Sequence, residues 1–136
     1  MYRLLALLFT FSPLGLSLVL FNVPQSGDIT FYDPDGTGAC GIPFDLSSPD
    51  LVSVSYQWFD PILYPNSNDD PVCNHVCVKV DYQGKSITVP VRDKCSNCDW
   101  YHLDLSRTAF DKLASEDAGH VYGVTWSFVQ CGSSLN

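Results

Sequence analysis

Asp104 is the residue of this chain whose setting most directly suggests chemistry. It stands in Tyr101-His102-Leu103-Asp104-Leu105-Ser106, a carboxylate between two leucines where a strand is expected to hand over to a helix. A carboxyl flanked in this way is partly desolvated. That raises its pKa and lets it hold a proton to donate or to share in a strong hydrogen bond. An Asp at such a junction can equally cap the free N–H groups of the helix, and the two roles are compatible.

Other polar residues are spaced to meet it. Thr30 and Tyr32, in Thr30-Phe31-Tyr32-Asp33, fall on one face of an expected strand. Asp93 follows a second strand and precedes Cys95, where it is expected to orient the site. Arg92 is its neighbour in sequence, but adjacent strand residues point to opposite faces. Aromatic rings supply flat apolar faces on which ring-shaped ligands stack, and Trp100, Tyr101, Tyr122 and Trp126 are the candidates. Trp126 shares its alternation with Tyr122, Val124 and Phe128, a pattern that describes core equally well. Trp58 with Phe59 reads as core.

The elements that must position these groups are mostly strands. Val76, Val78, Val80 and Tyr82 alternate with His75, Cys77, Lys79 and Asp81. Gln83-Gly84 then gives a two-residue turn, and Ile87, Val89 and Val91 alternate back. Pro90 cannot donate to a ladder, so the return strand is locally at an edge or carries a bulge. Further strands are expected at residues 28–32, 51–55 and 121–129. Ser55 can cap a turn over residues 56–59. Ser106 can cap a longer helix with Ala109, Phe110, Leu113 and Ala114 facing the core, and Gly119 ends it. Residues 61–71, carrying Pro65-Asn66-Ser67-Asn68-Asp69-Asp70, read as an exposed loop.

Composition narrows the classes of function. Fifteen Asp and Glu against seven Lys and Arg argue against a nucleic-acid partner, whose phosphates require a basic face. Met1-Tyr2-Arg3 followed by an apolar run reads as a secretory signal over residues 1–17, with residue 23 as the far bound of its end, interrupted by Ser12-Pro13 and Gly15 as a spanning helix would not be. No membrane association is expected once it is removed. The remainder suits one domain. Six cysteines in a small chain with such a signal point to disulfides, and sequence alone leaves fifteen pairings open. Zinc held by Cys73, Cys77, Cys95 and Cys98, with His75 and His102 nearby, is the rival reading. No metal or cofactor is expected.

Taken together, Thr30-Phe31-Tyr32, Gly38-Ala39-Cys40-Gly41, Arg92-Asp93-Lys94-Cys95, Tyr101-His102-Leu103-Asp104-Leu105-Ser106 and Phe128-Val129-Gln130-Cys131 resemble the expansin and barwin-like families, small fungal single-domain loosenins in particular. The resemblance implies a mainly β fold over residues 27–132, a six-stranded double-psi β-barrel with short helices, stapled by disulfides Cys40–Cys73, Cys77–Cys131 and Cys95–Cys98. On a chain-entropy account the two long bridges contribute roughly 4 kcal/mol each. It implies a secreted, extracellular monomer that binds a cell-wall polysaccharide (cellulose, chitin or peptidoglycan) through Thr30, Tyr32, Asp93, Trp100, Tyr101, Asp104 and Trp126, and loosens it without hydrolysis.

Two rivals accompany that expectation. In related lytic barrels the Asp matching Asp104 is a general acid, but hydrolysis by the usual route needs a second carboxylate. The matching position here is Pro34, between Asp33 and Asp35, which read better as turn formers. A lytic transglycosylase could use Asp104 alone. The other rival is a protein-binding effector or cysteine-protease inhibitor acting through the loop at 61–71.

Overall fold

The computed structural model describes residues 18–135; the signal expected over residues 1–17 lies outside them. Strands β1 (Gln25–Tyr32), β2 (Val52–Ser55), β3 (Val76–Tyr82), β4 (Lys85–Cys95), β5 (His102–Ser106) and β6 (Val121–Gln130) close a barrel in the order β1-β5-β2-β4-β3-β6. β1/β5 and β2/β4 pair in parallel, and the other neighbours are antiparallel. This is the six-stranded barrel that the resemblance implied. Ahead of it, Phe21 bridges Phe128, whose carbonyl accepts from the Asn22 N–H at 2.7 Å.

Alternation explains the interior. Val78, Val80, Val89, Val91, Leu103, Leu105, Val52, Val54 and Ile29 point inward and are buried, and the hairpin turns at Gln83-Gly84 as expected. Pro90 pairs with Cys77 on β3, while the β2 ladder begins only at Val91. Its missing N–H therefore falls beyond the end of that ladder, and a bulge follows at Arg92 between Val91 and Asp93.

Helix α1 (Arg107–Asp111) is shorter than the sequence pattern suggested. Its Ala109 and Phe110 are buried with Leu113, so the inward face is as expected, but the chain after Asp111 continues in turns. Ser106 does not cap α1. Its hydroxyl accepts from the Leu51 N–H at 3.0 Å and so ties β5 to the entry of β2. Ser55 caps as expected, accepting from Gln57 N–H at 3.2 Å. Gly119, with φ +66°, closes a separate 3-10 turn over Glu116–Ala118.

All six cysteines pair, Cys40–Cys73, Cys77–Cys131 and Cys95–Cys98, so none of them is a zinc ligand. The 61–71 loop is largely exposed, with one exception. Asp70 is buried, and its carboxylate accepts from Asp60 N–H at 2.8 Å and Val72 N–H at 3.0 Å, cinching both ends of the loop. Position alone had made Asp70 one more polar loop residue.

Candidate functional site

Strand register assembles the site. Ser53 of β2 faces Asp93 on β4 and Asp104 on β5, and Asp104 faces Thr30 on β1. Four strands thus carry one polar row across the barrel wall, reached through the Arg92 bulge that brings Asp93 opposite Ser53. Thr30 donates its hydroxyl to Asp104 Oδ1 at 3.0 Å. Burial pushes the Asp104 carboxyl above its ordinary pKa, and the nearby charge of Asp93 adds to this. The Thr30 hydrogen bond and His102 pull the other way.

Tyr32 lies two residues beyond Thr30 on the same strand. Its hydroxyl is buried and has no hydrogen-bond partner. Burial first, then the charges of Asp93 and Asp104, drive its ionisation far above the ordinary phenol range. It stays a neutral phenol. An unpartnered buried hydroxyl is costly in a folded protein unless a ligand completes it.

Asp93 works on the backbone. Its Oδ1 accepts from Ala39 N–H at 2.9 Å and Lys94 N–H at 2.8 Å, fixing the Gly38–Gly41 loop against β4. Gly38 is needed for that approach, since a Cβ there would lie 2.6 Å from the Arg92 carbonyl oxygen. Arg92 does not pair with Asp93; its guanidinium donates to the Leu135 carbonyl at 3.4 Å. Asp33 is held by Arg107, through Nε at 2.8 Å and Nη2 at 3.0 Å, so it is an ion-pair partner of α1 and not a free base beside Asp104. Asp35 lines a recess with Tyr32, Arg92 and Asp93.

The aromatics divide. Trp100 and Tyr101 are exposed at 38% and 48%, beside the disulfide-closed turn at Cys95–Cys98. Trp126 does not join them. It is 1% exposed in the core, and its indole N–H donates to the Tyr101 carbonyl at 3.0 Å, so it supports a candidate binding residue from beneath. Tyr122 leaves the Val124, Trp126, Phe128 face because β6 bulges: Gly27 faces Val124 while Asp28 faces Tyr122, leaving Gly123, with φ +77°, as the extra residue. Tyr122 is exposed and stacks on His120, ring centroids 4.3 Å apart. Trp58 is partly buried and bridges surface to core, packing edge-on against both Trp100 and Phe128.

Three further residues belong to the site; the sequence offered His102 only as a neighbour of the zinc-spaced cysteines and did not single out Asp28 or His120. Asp28 Oδ2 is 2.7 Å from His102 Nδ1 and also contacts His120 Nε2, while His102 Nε2 is 2.7 Å from Thr30 Oγ1. A chain of contacts therefore runs from His120 through Asp28, His102 and Thr30 to Asp104. The cleft holding them is lined also by Asn97 and Asp99. The signal was present for two of them: Asp28 and His102 stand two residues before Thr30 and Asp104 on parallel neighbours, so they repeat the same pairing one step along.

The DPBB_1 family, described as lytic transglycolase, matches residues 25–125. The chain belongs to this double-psi β-barrel family. Within it, the chain is 51% identical over 106 residues to a papain inhibitor from Streptomyces mobaraensis, covering 78% of this chain and 72% of that protein. The solved Streptomyces papain inhibitor superposes with a TM-score of 0.76 at 48% identity, over 82% of this chain and 99% of that one. An expansin of Clavibacter michiganensis, solved with cellohexaose, shares the barrel at a TM-score of 0.61 and 22% identity, over 79% of this chain and 51% of that one. At that identity the last likeness speaks to the fold alone.

Proposed function

We propose that this family member is a secreted protein whose groove binds a cell-wall polysaccharide and loosens it by competing for the hydrogen bonds between its chains, without cleaving it. The observation that carries this reading is the half-buried Asp104 carboxylate, held by the Thr30 hydroxyl in a cleft lined also by Asn97 and Asp99. It offers hydrogen-bonding groups to sugar hydroxyls, with the exposed rings of Trp100 and Tyr101 nearby as stacking surfaces. Asp104 has no second free carboxylate in Asp33, which Arg107 occupies.

The test is co-sedimentation of the purified protein with cellulose, chitin and peptidoglycan, alongside Asp104→Asn and Trp100→Ala. Depletion by one polymer, weakened in both variants, supports the groove and names its ligand. Release of soluble sugar that Asp104→Asn abolishes would replace the non-cleaving reading with a lytic one, Asp104 acting as general acid.

A second reading is favoured by the 51% identity to a papain inhibitor: inhibition of a papain-like cysteine protease. The pinned loop offers a suitable contact, because Ile62 and Leu63 are exposed at 88% and 57% on a segment whose ends Asp70 holds. Tight inhibition that survives Asp104→Asn and is lost in Ile62→Asp would establish this reading in place of the groove.

A further inference from the structure

Asp28, His102 and His120 bring one carboxylate oxygen and two imidazole nitrogens within 4.8 Å of one another. Asp28 and His102 are directly opposed on the parallel pair β1/β5, and both are more than half buried. His120 arrives from the loop before β6, its ring held face to face by Tyr122 and edge-on by His102. The β6 bulge opposite Asp28 is what turns Tyr122 outward into that position.

One hydrogen-bond direction in the cluster is fixed. The Thr30 hydroxyl has one hydrogen, directed at Asp104 Oδ1, so toward His102 Nε2 it is an acceptor and Nε2 carries the proton. That leaves His102 Nδ1 facing Asp28 Oδ2 from 2.7 Å. His120 Nε2 meets the same oxygen. Two imidazole nitrogens thus converge on one carboxylate, a place where protons or a metal cation can hold them together.

We propose that Asp28, His102 and His120 bind one divalent transition-metal ion of the zinc or copper(II) type. Two imidazoles and a carboxylate are the donor set such ions select over magnesium or calcium. Bonds of about 2.0–2.2 Å set tetrahedral ligand atoms about 3.4 Å apart, so side-chain rotations of under an ångström or so open the cluster around an ion. The hydrogen bond from His102 Nε2–H to Thr30 is the outer support that fixes a ligating histidine's tautomer and ring plane. The fourth position faces the cleft lined by Asp99, Thr30 and Asp104, so the ion sits at one end of the groove with a site open to an exogenous oxygen ligand. This inference does not depend on the polysaccharide or protease reading.

The test is calorimetric titration of untagged, chelator-stripped protein with zinc, copper(II) and magnesium, repeated on His120→Ala, His102→Ala and His75→Ala. His120 is exposed, so its replacement leaves the fold intact, and far-ultraviolet dichroism checks this for all three. One zinc per chain, no magnesium, affinity lowered roughly tenfold or more in the His120 and His102 variants and kept in His75→Ala, is the expected result. Two-nitrogen hyperfine structure in the copper(II) spectrum, reduced to one in His120→Ala, supplies an independent readout. The absence of zinc binding, binding undiminished in His120→Ala, or binding lost in His75→Ala would overturn the proposal.

Discussion

Trp58 donates its indole N–H to the backbone carbonyl of Trp100 at 2.8 Å, and the two rings meet edge to face with centroids 4.8 Å apart. The exposed ring is therefore held from behind by one that also packs on Phe128 in the core. Trp58→Phe keeps an aromatic face and removes the donor. It should cost about 0.5–1.5 kcal/mol in urea denaturation and weaken polymer co-sedimentation, although residue 58 need touch no sugar. Unchanged sedimentation would mean that Trp100 is not part of the binding surface.

The ionised Asp104 carboxylate is expected to destabilise the fold. Its folded-state pKa is raised, so the stability associated with its protonated form is complete below the ordinary carboxylate value and is lost as pH rises through the raised one. Asp104→Asn should accordingly raise Tm at neutral pH by a few degrees, where one kcal/mol corresponds to roughly 4–8 °C in a small domain. The gain should vanish near pH 3. Thermal scans of both proteins across that range check the sign, and a lower Tm for the variant at neutral pH would show that the carboxylate is stabilising.

Asp93 and Gly38 should fail together. Asp93→Ala frees two backbone N–H groups and should cost about 1–3 kcal/mol, while Gly38→Ala forces a methyl against the Arg92 carbonyl at a similar cost of about 1–3 kcal/mol. Because both act on one loop–strand contact, the double variant should lose less than the two single losses added. Chemical denaturation of the four proteins measures the shortfall.

Asp70→Ala removes the carboxylate that joins residues 60 and 72. Losing a buried, doubly used acceptor should cost roughly 2–3 kcal/mol and expose the 61–71 loop to proteolysis before the barrel unfolds. Limited digestion followed by mass spectrometry would locate the first cut; a first cut elsewhere would show that Asp70 is not the clasp.

Period-two patterning made the hairpin of β3 and β4, and the inward faces of the other strands, legible from sequence, because burial on one side enforces alternation. It misled at Tyr122, whose alternation was carried across Gly123. A single left-handed glycine inserts a residue and reverses the sides on which everything before it lies. Ser106 was misread for a different reason: a hydroxyl at a helix start has a local use, but here a distant one, the Leu51 N–H, claimed it. Thr30, Tyr32, Asp93 and Asp104 were picked out through their resemblance to known barrels, and strand register brings Thr30, Asp93 and Asp104 into one row. His120 was not, since it reaches Asp28 across 92 residues by a loop whose path no local pattern encodes.

The position of β1 between β5 and β6 sets the order in which this chain can fold. The first strand pairs only with the last two, so contacts such as Asp28 with His102 span 74 residues and must wait for nearly the whole chain. Early hairpins such as β3/β4 can form locally, but the barrel closes late, after a large loop-entropy cost. Refolding should therefore be slow for so small a protein, and a nascent chain still lacking β6 has nowhere to place the Cys77–Cys131 bridge.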